Sequence, residues 1–279
     1  MTLAQVLVAA AAFGLDRLDA QLLLLHALGR PQSDRAWLLA HDGDAIDGAA
    51  REGFLQACGR RAAGEPLAYI VGSKEFFGLD LLVDHRVLVP RPDTETLVEW
   101  SLELVSGHRG RDVRPRVVDL GTGSGAIALA IKKHCPDAQV EAVDVSEQAL
   151  AVALANARAL GLDVGFRCAS WLAGTTARYD LIASNPPYVA AADPHLAALA
   201  YEPLSALASG PDGLDDLRAI VAQAPLRLQA GGWLLLEHGW DQAAAVRCLL
   251  QQAGLANIAS RRDLAGIQRC SGGQRLELG

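Results

Sequence analysis

Arg116-Val117-Val118-Asp119-Leu120-Gly121-Thr122-Gly123-Ser124-Gly125 is a short apolar run that breaks into three alternating glycines and opens onto a helical stretch, Ala126 to Lys133. Such a run reads as a buried parallel strand, and glycines are needed where the backbone turns tightly and a ligand must come within contact distance of it. The next apolar run, Gln139-Val-Glu-Ala-Val143, ends in Asp144. That carboxylate falls about 20 positions past the turn, the usual gap to an acidic side chain that grips ribose hydroxyls. A strand-end cap is its plainer reading. Ser146 caps a further helix, Glu147 to Leu160, which closes with Gly161. Strand, glycine turn, helix, strand, acidic residue and helix is the order of an open α/β sheet that binds a nucleoside. A nicotinamide cofactor's pyrophosphate favours G-x-G-x-x-G, whereas G-x-G-x-G after Asp119 points to S-adenosyl-L-methionine, which has no phosphates.

Downstream, Val164-Gly-Phe-Arg-Cys168 reads as a third strand followed by Ser170-Trp171, whose ring either flanks an adenine or sits on the rim. Tyr179 to Ser184 is another buried strand, so Asn185-Pro186-Pro187-Tyr188 falls at its carboxyl end, where open α/β sheets place their ligands. Two prolines lack N–H groups and have fixed φ, which leaves the chain after Asn185 stiff and its carbonyls available. Asn185 adds a side-chain acceptor and Tyr188 a flat ring, a slot that accepts an NH2 group edgewise and covers its face. A proline turn that merely closes the strand is the bland alternative. Methyl transfer from sulfonium to nitrogen needs in-line positioning and an electron-rich nitrogen, for which fixed acceptors at Asn185 and Pro186 suffice without a strong base. Beyond this, Ala190 to Gly213 reads as an ordered loop, Leu214 to Leu228 and Gln242 to Ala253 as helices, and Gly231 to His238 and Gln274 to Leu278 as strands. Glu237 and His238 at a strand end receive no acid–base role.

The first 63 or so residues carry helical spacing throughout, with stops at Gly29-Arg-Pro31 and then at Gly64, and Gly64 to Gly72 breaks the helical pattern. His26 and His41 lie there without a partner motif and read as ordinary structural or surface histidines. Glu75 to Asp84 reads as two short strands about a glycine turn, and Pro90-Arg-Pro-Asp-Thr-Glu95 leads into a helix from Asp93 to Val105. Spacing favours a plain capping role for that stretch over a helix start aimed at the cleft. Domains are therefore expected at residues 1–72 (helical), 73–90 (β-hairpin linker) and 91–279 (the α/β sheet).

Length and composition agree: 279 residues, 51% hydrophobic, suffice for two cores. The net charge of −7 argues against affinity gained by wrapping a phosphate backbone. The five cysteines are scattered without a C-x-x-C pair, which signals neither a disulfide framework nor a zinc site and suits a reducing cytoplasm. The apolar opening from Val6 lacks a preceding positive charge and is followed by Asp16, Arg17 and Asp19, a helix rather than a leader. No apolar run nears the roughly 20 residues of a membrane span.

Taken together, Gly64-Glu-Pro-Leu-Ala-Tyr-Ile-Val-Gly72, Pro90-Arg-Pro-Asp-Thr-Glu95, Asp119-Leu-Gly-Thr-Gly-Ser-Gly125, Ser184-Asn-Pro-Pro-Tyr188, Glu202-Pro203-Leu204 and Glu237-His-Gly resemble the release factor glutamine methyltransferases along nearly the whole chain. The resemblance implies a Rossmann-like class I methyltransferase sheet and S-adenosyl-L-methionine held by Gly121, Thr122, Gly123, Ser124, Gly125, Asp144, Trp171 and Asn185. It also implies that Asn185, Pro186, Pro187 and Tyr188 hold the glutamine of a Gly-Gly-Gln motif in peptide-chain release factors, which the N-terminal domain helps to dock. The chain departs from the family at Ser170, where an acidic residue is common, and at Ala200, where an arginine is. Adenine-N6 and cytosine-N4 nucleic-acid methyltransferases resemble the Asn-Pro-Pro-Tyr element closely and are the rival reading, with a non-catalytic nucleotide-fold module a third. Ser271-Gly-Gly-Gln274 looks like the modified tripeptide itself and is expected to be a turn before the last strand.

Overall fold

Seven strands form the sheet that carries the glycine turn. The structure is a computed structural model that describes residues 1–106 and 114–276, and the chain divides into two compact units, Met1–Ser73 and Lys74–Gly279. The first unit is helical: α1 Leu3–Ala10, α2 Arg17–Ala27, α3 Arg35–Ala40, α4 Gly48–Ala62 and α5 Leu67–Val71. Its helices start where side chains satisfy free amides. Thr2 and Gln5 form a capping box on α1, while Asp16 and Asp47 cap α2 and α4. Their apolar faces meet in one core of Leu3, Val6, Leu23, Leu24, Leu38, Phe54, Cys58 and Ile70, each large aliphatic or aromatic side chain contributing about 1.5–3 kcal/mol by leaving water. Gly64 to Gly72, expected to break the helical pattern, contains α5. Pro66 stands just before its first turn and Gly72, at φ 79°, closes it, so the two residues bracket a short helix rather than abolish it.

The hairpin of β1 Ser73–Phe76 and β2 Leu79–Leu82 starts at the last residue of the first unit, and the second unit continues with α6 Glu95–Ser106, β3 Arg116–Leu120, α7 Ala126–His134, β4 Gln139–Asp144, α8 Glu147–Leu160 and β5 Gly165–Cys168. It continues with β6 Tyr179–Ser184, α9 Asp215–Arg227, β7 Leu228–Glu237, α10 Ala243–Gln252, β8 Ala256–Arg262 and β9 Gln268–Gln274. Strands β5, β4, β3, β6 and β7 run parallel, and β9 and β8 add an antiparallel edge. Alternate residues of each strand go to opposite faces. Val117, Ala142 and Leu181 join α6, α7 and the hairpin's Phe76, Leu79 and Leu81, while Val118, Val143 and Ile182 join α9 and α10.

Two strand expectations are corrected. The last strand was expected at Gln274 to Leu278; it is β9, which ends at Gln274, and residues 277–279 lie outside the described residues. Ser271-Gly-Gly-Gln274 is therefore not a turn but the body of a central strand. A Cβ at Gly272 would stand 2.4 Å from Leu235 Cδ2 and 3.0 Å from the Trp100 ring, so glycine is demanded there by packing. The edge strand β8 was not foreseen, since no apolar alternation marks Ala-Asn-Ile-Ala-Ser-Arg-Arg.

The order of the sheet reverses at β3. The chain leaves it towards β4 on one side and later returns to its other side as β6, making the switch point at which such sheets bind ligands. Leu120 pairs with Val143 and with Ser184, so the residues following β3, β4 and β6 emerge side by side. The Ser184 hydroxyl donates to the Leu120 carbonyl at 2.7 Å and ties the two central strand ends together.

Candidate active site

Gly121, Gly123 and Gly125 all have left-handed φ, 71°, 54° and 85°, the conformation only glycine adopts without strain. The amides of Gly121 and Thr122 both donate to the Val143 carbonyl, at 2.8 and 3.0 Å, which turns the loop over the end of β4. Beneath it lies Asp119, fully buried, whose Oδ2 accepts from the Thr122 hydroxyl at 2.6 Å and from the Ala128 amide at 3.2 Å. That carboxylate fastens the loop to the first turn of α7. Burial pushes its pKa up to about 7 against the pull of those two hydrogen bonds. From the other side, buried Asn156 of α8 donates to the carbonyls of Ser124 and Leu82, at 2.9 and 3.0 Å, and accepts from the Leu82 amide at 2.7 Å.

The loop faces a cavity of about 350 Å³ lined by Gly121, Thr122, Gly123, Ser124, Asp144, Trp171, Asn185 and Pro187. Eight of the positions expected to bind ligand thus come together. Gly125, Pro186 and Tyr188 do not line it. Gly125 works in packing: a Cβ there would stand 3.0 Å from Leu129 Cδ1 and 3.3 Å from Ala153 Cβ. Asp144 is held by Gly123 N on Oδ2 and Ser146 N on Oδ1, both at 2.9 Å, which leaves each oxygen a further lone pair towards the cavity. Trp171 lies against Gly121, where a Cβ would stand 3.2 Å from its ring. Its φ of 52° is strained for a side-chain-bearing residue, and such strain is held by its surroundings. Two residues beyond it, the Ala173 carbonyl accepts from Arg167 at 2.9 Å, and the Arg167 Nε donates to Glu141 at 2.7 Å.

Asn185 Nδ2 donates to Thr94 Oγ1 at 3.1 Å, so the other end of its carboxamide, the acceptor Oδ1, is the end left for a ligand. Thr94 belongs to the Pro92–Thr94 turn that starts α6. The Tyr188 hydroxyl donates to Glu237 Oε1 at 3.3 Å, and burial raises its pKa. Glu237, fully buried, has its carboxyl pushed up to about 7 by burial, with the hydroxyls of Thr94 and Tyr188 pulling the other way. Gln242 Nε2 donates to the Tyr188 carbonyl at 3.0 Å and fixes the chain beyond the tetrapeptide. His238 donates Nδ1–H to the Gly239 carbonyl, so its Nε2 accepts from the Ser271 hydroxyl, and burial lowers its pKa. It is a neutral structural histidine.

The Glu202-Pro203 segment closes another side. Glu202 Oε2 accepts from Val89 N at 3.1 Å and Oε1 pairs with Arg91, while Pro203, Ser205 and Ala206 line the cavity.

Two domain families match this chain: the PrmC N-terminal domain over residues 2–72 and the methyltransferase small domain over residues 104–202. A release factor glutamine methyltransferase of Bordetella pertussis is 52% identical over 93% of this chain and 95% of its own length. One of Xylella fastidiosa is 50% identical over 96% of each. The chain belongs to the release factor glutamine methyltransferase family. A methyltransferase of Pyrococcus furiosus, 19% identical, superposes with a TM-score of 0.54 over 78% of this chain and 97% of its own, which supports the class I methyltransferase fold alone. Thr94 and Gln242 support the site without having been singled out in the sequence, whereas Asp119, Glu202 and Glu237 were noted there without the supporting contacts they make. The Pro-Arg-Pro-Asp-Thr-Glu stretch, read as a plain cap, carries two of the contacts, through Arg91 and Thr94. With an alanine at position 200, the loop is anchored through Arg91 and Glu202 instead.

Proposed function

We propose that this methyltransferase moves the methyl group of S-adenosyl-L-methionine to the side-chain amide nitrogen, N5, of the glutamine in the Gly-Gly-Gln motif of peptide-chain release factors, in the cytoplasm and without acting on nucleic acid or membranes. The observation that carries this reading is the orientation of the Asn185 carboxamide, whose NH2 is engaged by Thr94 so that an acceptor remains for an incoming NH2. The names of relatives about half identical to this chain support the substrate, and five free cysteines suit the compartment.

The cavity suits an adenosyl ligand. A carboxylate at Asp144 takes sugar hydroxyls, the Trp171 ring covers a purine face, and Gly121 and Gly123, which lack a Cβ, admit close approach. When bound, S-adenosyl-L-methionine supplies an electrophilic methyl group on sulfur. The residues of the chain do the rest by position. A carboxamide nitrogen is a weak nucleophile because its lone pair is delocalised. Asn185 Oδ1 and the Pro186 carbonyl accept its two N–H groups, Pro187 and Tyr188 hold its plane, and the charge that develops on nitrogen meets fixed acceptors. No side chain has to remove a proton beforehand.

The test is incubation with methyl-labelled S-adenosyl-L-methionine and either a release factor or duplex DNA, followed by mapping of the labelled residue by peptide mass. Label on the Gly-Gly-Gln glutamine is expected, and label on DNA, or on neither, overturns the assignment. Asn185→Ala should slow transfer by about 100-fold or more while cofactor affinity changes much less. Equal losses in both would reject its role as substrate acceptor.

A further inference from the structure

The leading N–H groups of a helix need acceptors, and the side chain at the cap position is placed to supply one. Thr2, Asp16, Asp47 and Ser146 do this, each accepting from an amide in the first turn of its own helix. Gln242, at the start of α10, does not. Its side chain turns away from the helix: Oε1 accepts from the Gly239 amide at 2.8 Å, and Nε2 donates to the Tyr188 carbonyl at 3.0 Å, with longer contacts of 3.4 Å to the carbonyls of Asp212 and Gly213. These partners settle which end of the carboxamide is which, since a backbone amide only donates and a carbonyl only accepts. A helix start that forgoes its local cap for a bond 54 positions away in the chain breaks a local rule, and the gain lies where that bond leads, at the end of the Asn185 to Tyr188 slot. Gly213 completes the joint. At a φ of 75° it brings the returning loop so close that a Cβ would stand 2.2 Å from the Tyr188 carbonyl oxygen and 2.8 Å from Gln242 Nε2.

We propose that Gln242 is a positioning residue for methyl transfer: by tying the Tyr188 carbonyl to the chain that follows β7, it sets the plane in which the substrate amide lies. The inference rests on the reading of Asn185 to Tyr188 as the holder of that amide. Gln242 does not line the cavity and touches neither reactant. It acts through the tetrapeptide, whose two prolines have fixed φ, so a displacement at Tyr188 is passed to the Pro186 carbonyl rather than absorbed between them. The Tyr188 ring has its own tether, the hydroxyl bond to Glu237 Oε1 at 3.3 Å, and Gln242 supplies the second, at the backbone. In-line transfer tolerates little misplacement, with about 1 Å costing on the order of 100-fold. The cofactor side is fastened separately. The Val189 amide donates to the Leu207 carbonyl and the Ser209 amide to the Val189 carbonyl, both at 2.9 Å, while the Ser209 hydroxyl donates to Asp216 Oδ2 at 2.7 Å and accepts from the Asp216 amide at 2.8 Å. Those bonds hold the loop that brings Pro203, Ser205 and Ala206 to the cavity, and none of them involves Gln242. Removing the Gln242 carboxamide therefore reaches the rate of transfer and leaves cofactor binding in place.

The experiment compares wild type, Gln242→Met and Gln242→Glu in transfer from labelled S-adenosyl-L-methionine to a release factor, with calorimetric affinity for S-adenosylhomocysteine measured alongside. Methionine keeps the length of the side chain without its hydrogen bonds, and glutamate keeps the acceptor for Gly239 but has no donor for Tyr188 when ionised. Tyr188-Val189 is the one Tyr-Val pair in the sequence, so isotope labels on the tyrosine carbonyl carbon and the valine nitrogen give the Tyr188 carbonyl as a single nuclear magnetic resonance cross-peak. Both variants should lower kcat by about tenfold or more while KM for the release factor and the calorimetric affinity stay within about threefold. In both, the Tyr188 carbonyl resonance should move upfield as its hydrogen bond is lost. A wild-type kcat in both variants, while Asn185→Ala is slow, overturns the inference alone. So does an unmoved carbonyl resonance, and so does a fall in cofactor affinity as large as the fall in kcat, which is what general loosening of the fold would give. No transfer by wild type to the release factor glutamine overturns the reading beneath it as well.

Discussion

Gly121 and Gly125 differ in what stands beside them, and that decides what alanine does at each. At Gly125 a methyl group meets Leu129 and Ala153 in the interior, at a φ of 85° that L-residues resist. Gly125→Ala should therefore cost about 2–4 kcal/mol of unfolding free energy, the sum of overpacking and left-handed strain, read by denaturant titration. At Gly121 the methyl group meets only the Trp171 ring, which borders the cavity. There the larger loss should appear in cofactor affinity, by calorimetry, with a smaller change in stability. Residues of both kinds were legible in sequence wherever the signal is local: the three glycines, Asp144 and Asn185 sit at fixed distances from strand ends. Thr94 and Glu237 were not, because Thr94 meets Asn185 across 91 positions and Glu237 meets Tyr188 across 49. Spacing along the chain carries no information about which strand ends a sheet brings together.

Among the elements, those with strong apolar periodicity or capping were readable: α8 runs from Glu147 to Leu160, with Ser146 and Gly161 at its ends as expected. The failures share a cause. In α5, β8 and β9 the pattern belongs to a neighbour's packing rather than to the segment's own side chains, as Gly272 under Leu235 and Trp100 illustrates. The segment from Ala190 to Gly213 behaves as the ordered loop it was read to be, with 3-10 turns at Pro194–Leu199 and Leu204–Ala206 and a bridge from Val189 to Ala208. Its hold on the segment that precedes α6 runs through Glu202, whose side chain is 2% exposed and paired with an Arg91 side chain that is 38% exposed. Because one partner is open to water, Glu202→Ala should cost about 1–3 kcal/mol rather than the larger loss of a fully buried pair. The effect should be local to this loop. Limited proteolysis should cut within residues 190–206 in the variant at protease levels that leave the wild-type chain whole, and cofactor affinity should fall because Pro203, Ser205 and Ala206 line the cavity.

Across the whole molecule, buried carboxyls set how stability follows pH. Asp119 and Glu237 each have a folded pKa raised to about 7, mainly by burial, from ordinary values of 3.8 and 4.5. A carboxyl raised on folding binds its proton more tightly in the native state. Its stabilising contribution is full below the unfolded pKa and disappears as pH rises through about 7. Carboxylates held low by arginine, such as Asp84 beside Arg86 and Glu103 beside Arg261, act only below their ordinary range and leave the neutral window untouched. His238 opposes the trend, since its lowered pKa favours the folded state above about 6.5, and that limits the gain at the acid end. Stability should thus rise as pH is lowered from 8 to 6.5, by on the order of 1 kcal/mol, and go on rising below, less steeply than the two carboxyls alone would give, until the unfolded carboxyls take up their protons. Denaturant titrations at constant ionic strength, followed by tryptophan fluorescence, measure it. Glu237→Gln removes one of the two raised groups and should roughly halve the rise, whereas Glu103→Gln should leave it unchanged. A pH-independent free energy between 8 and 6.5 would mean that both carboxyls titrate in the folded chain as they do in water.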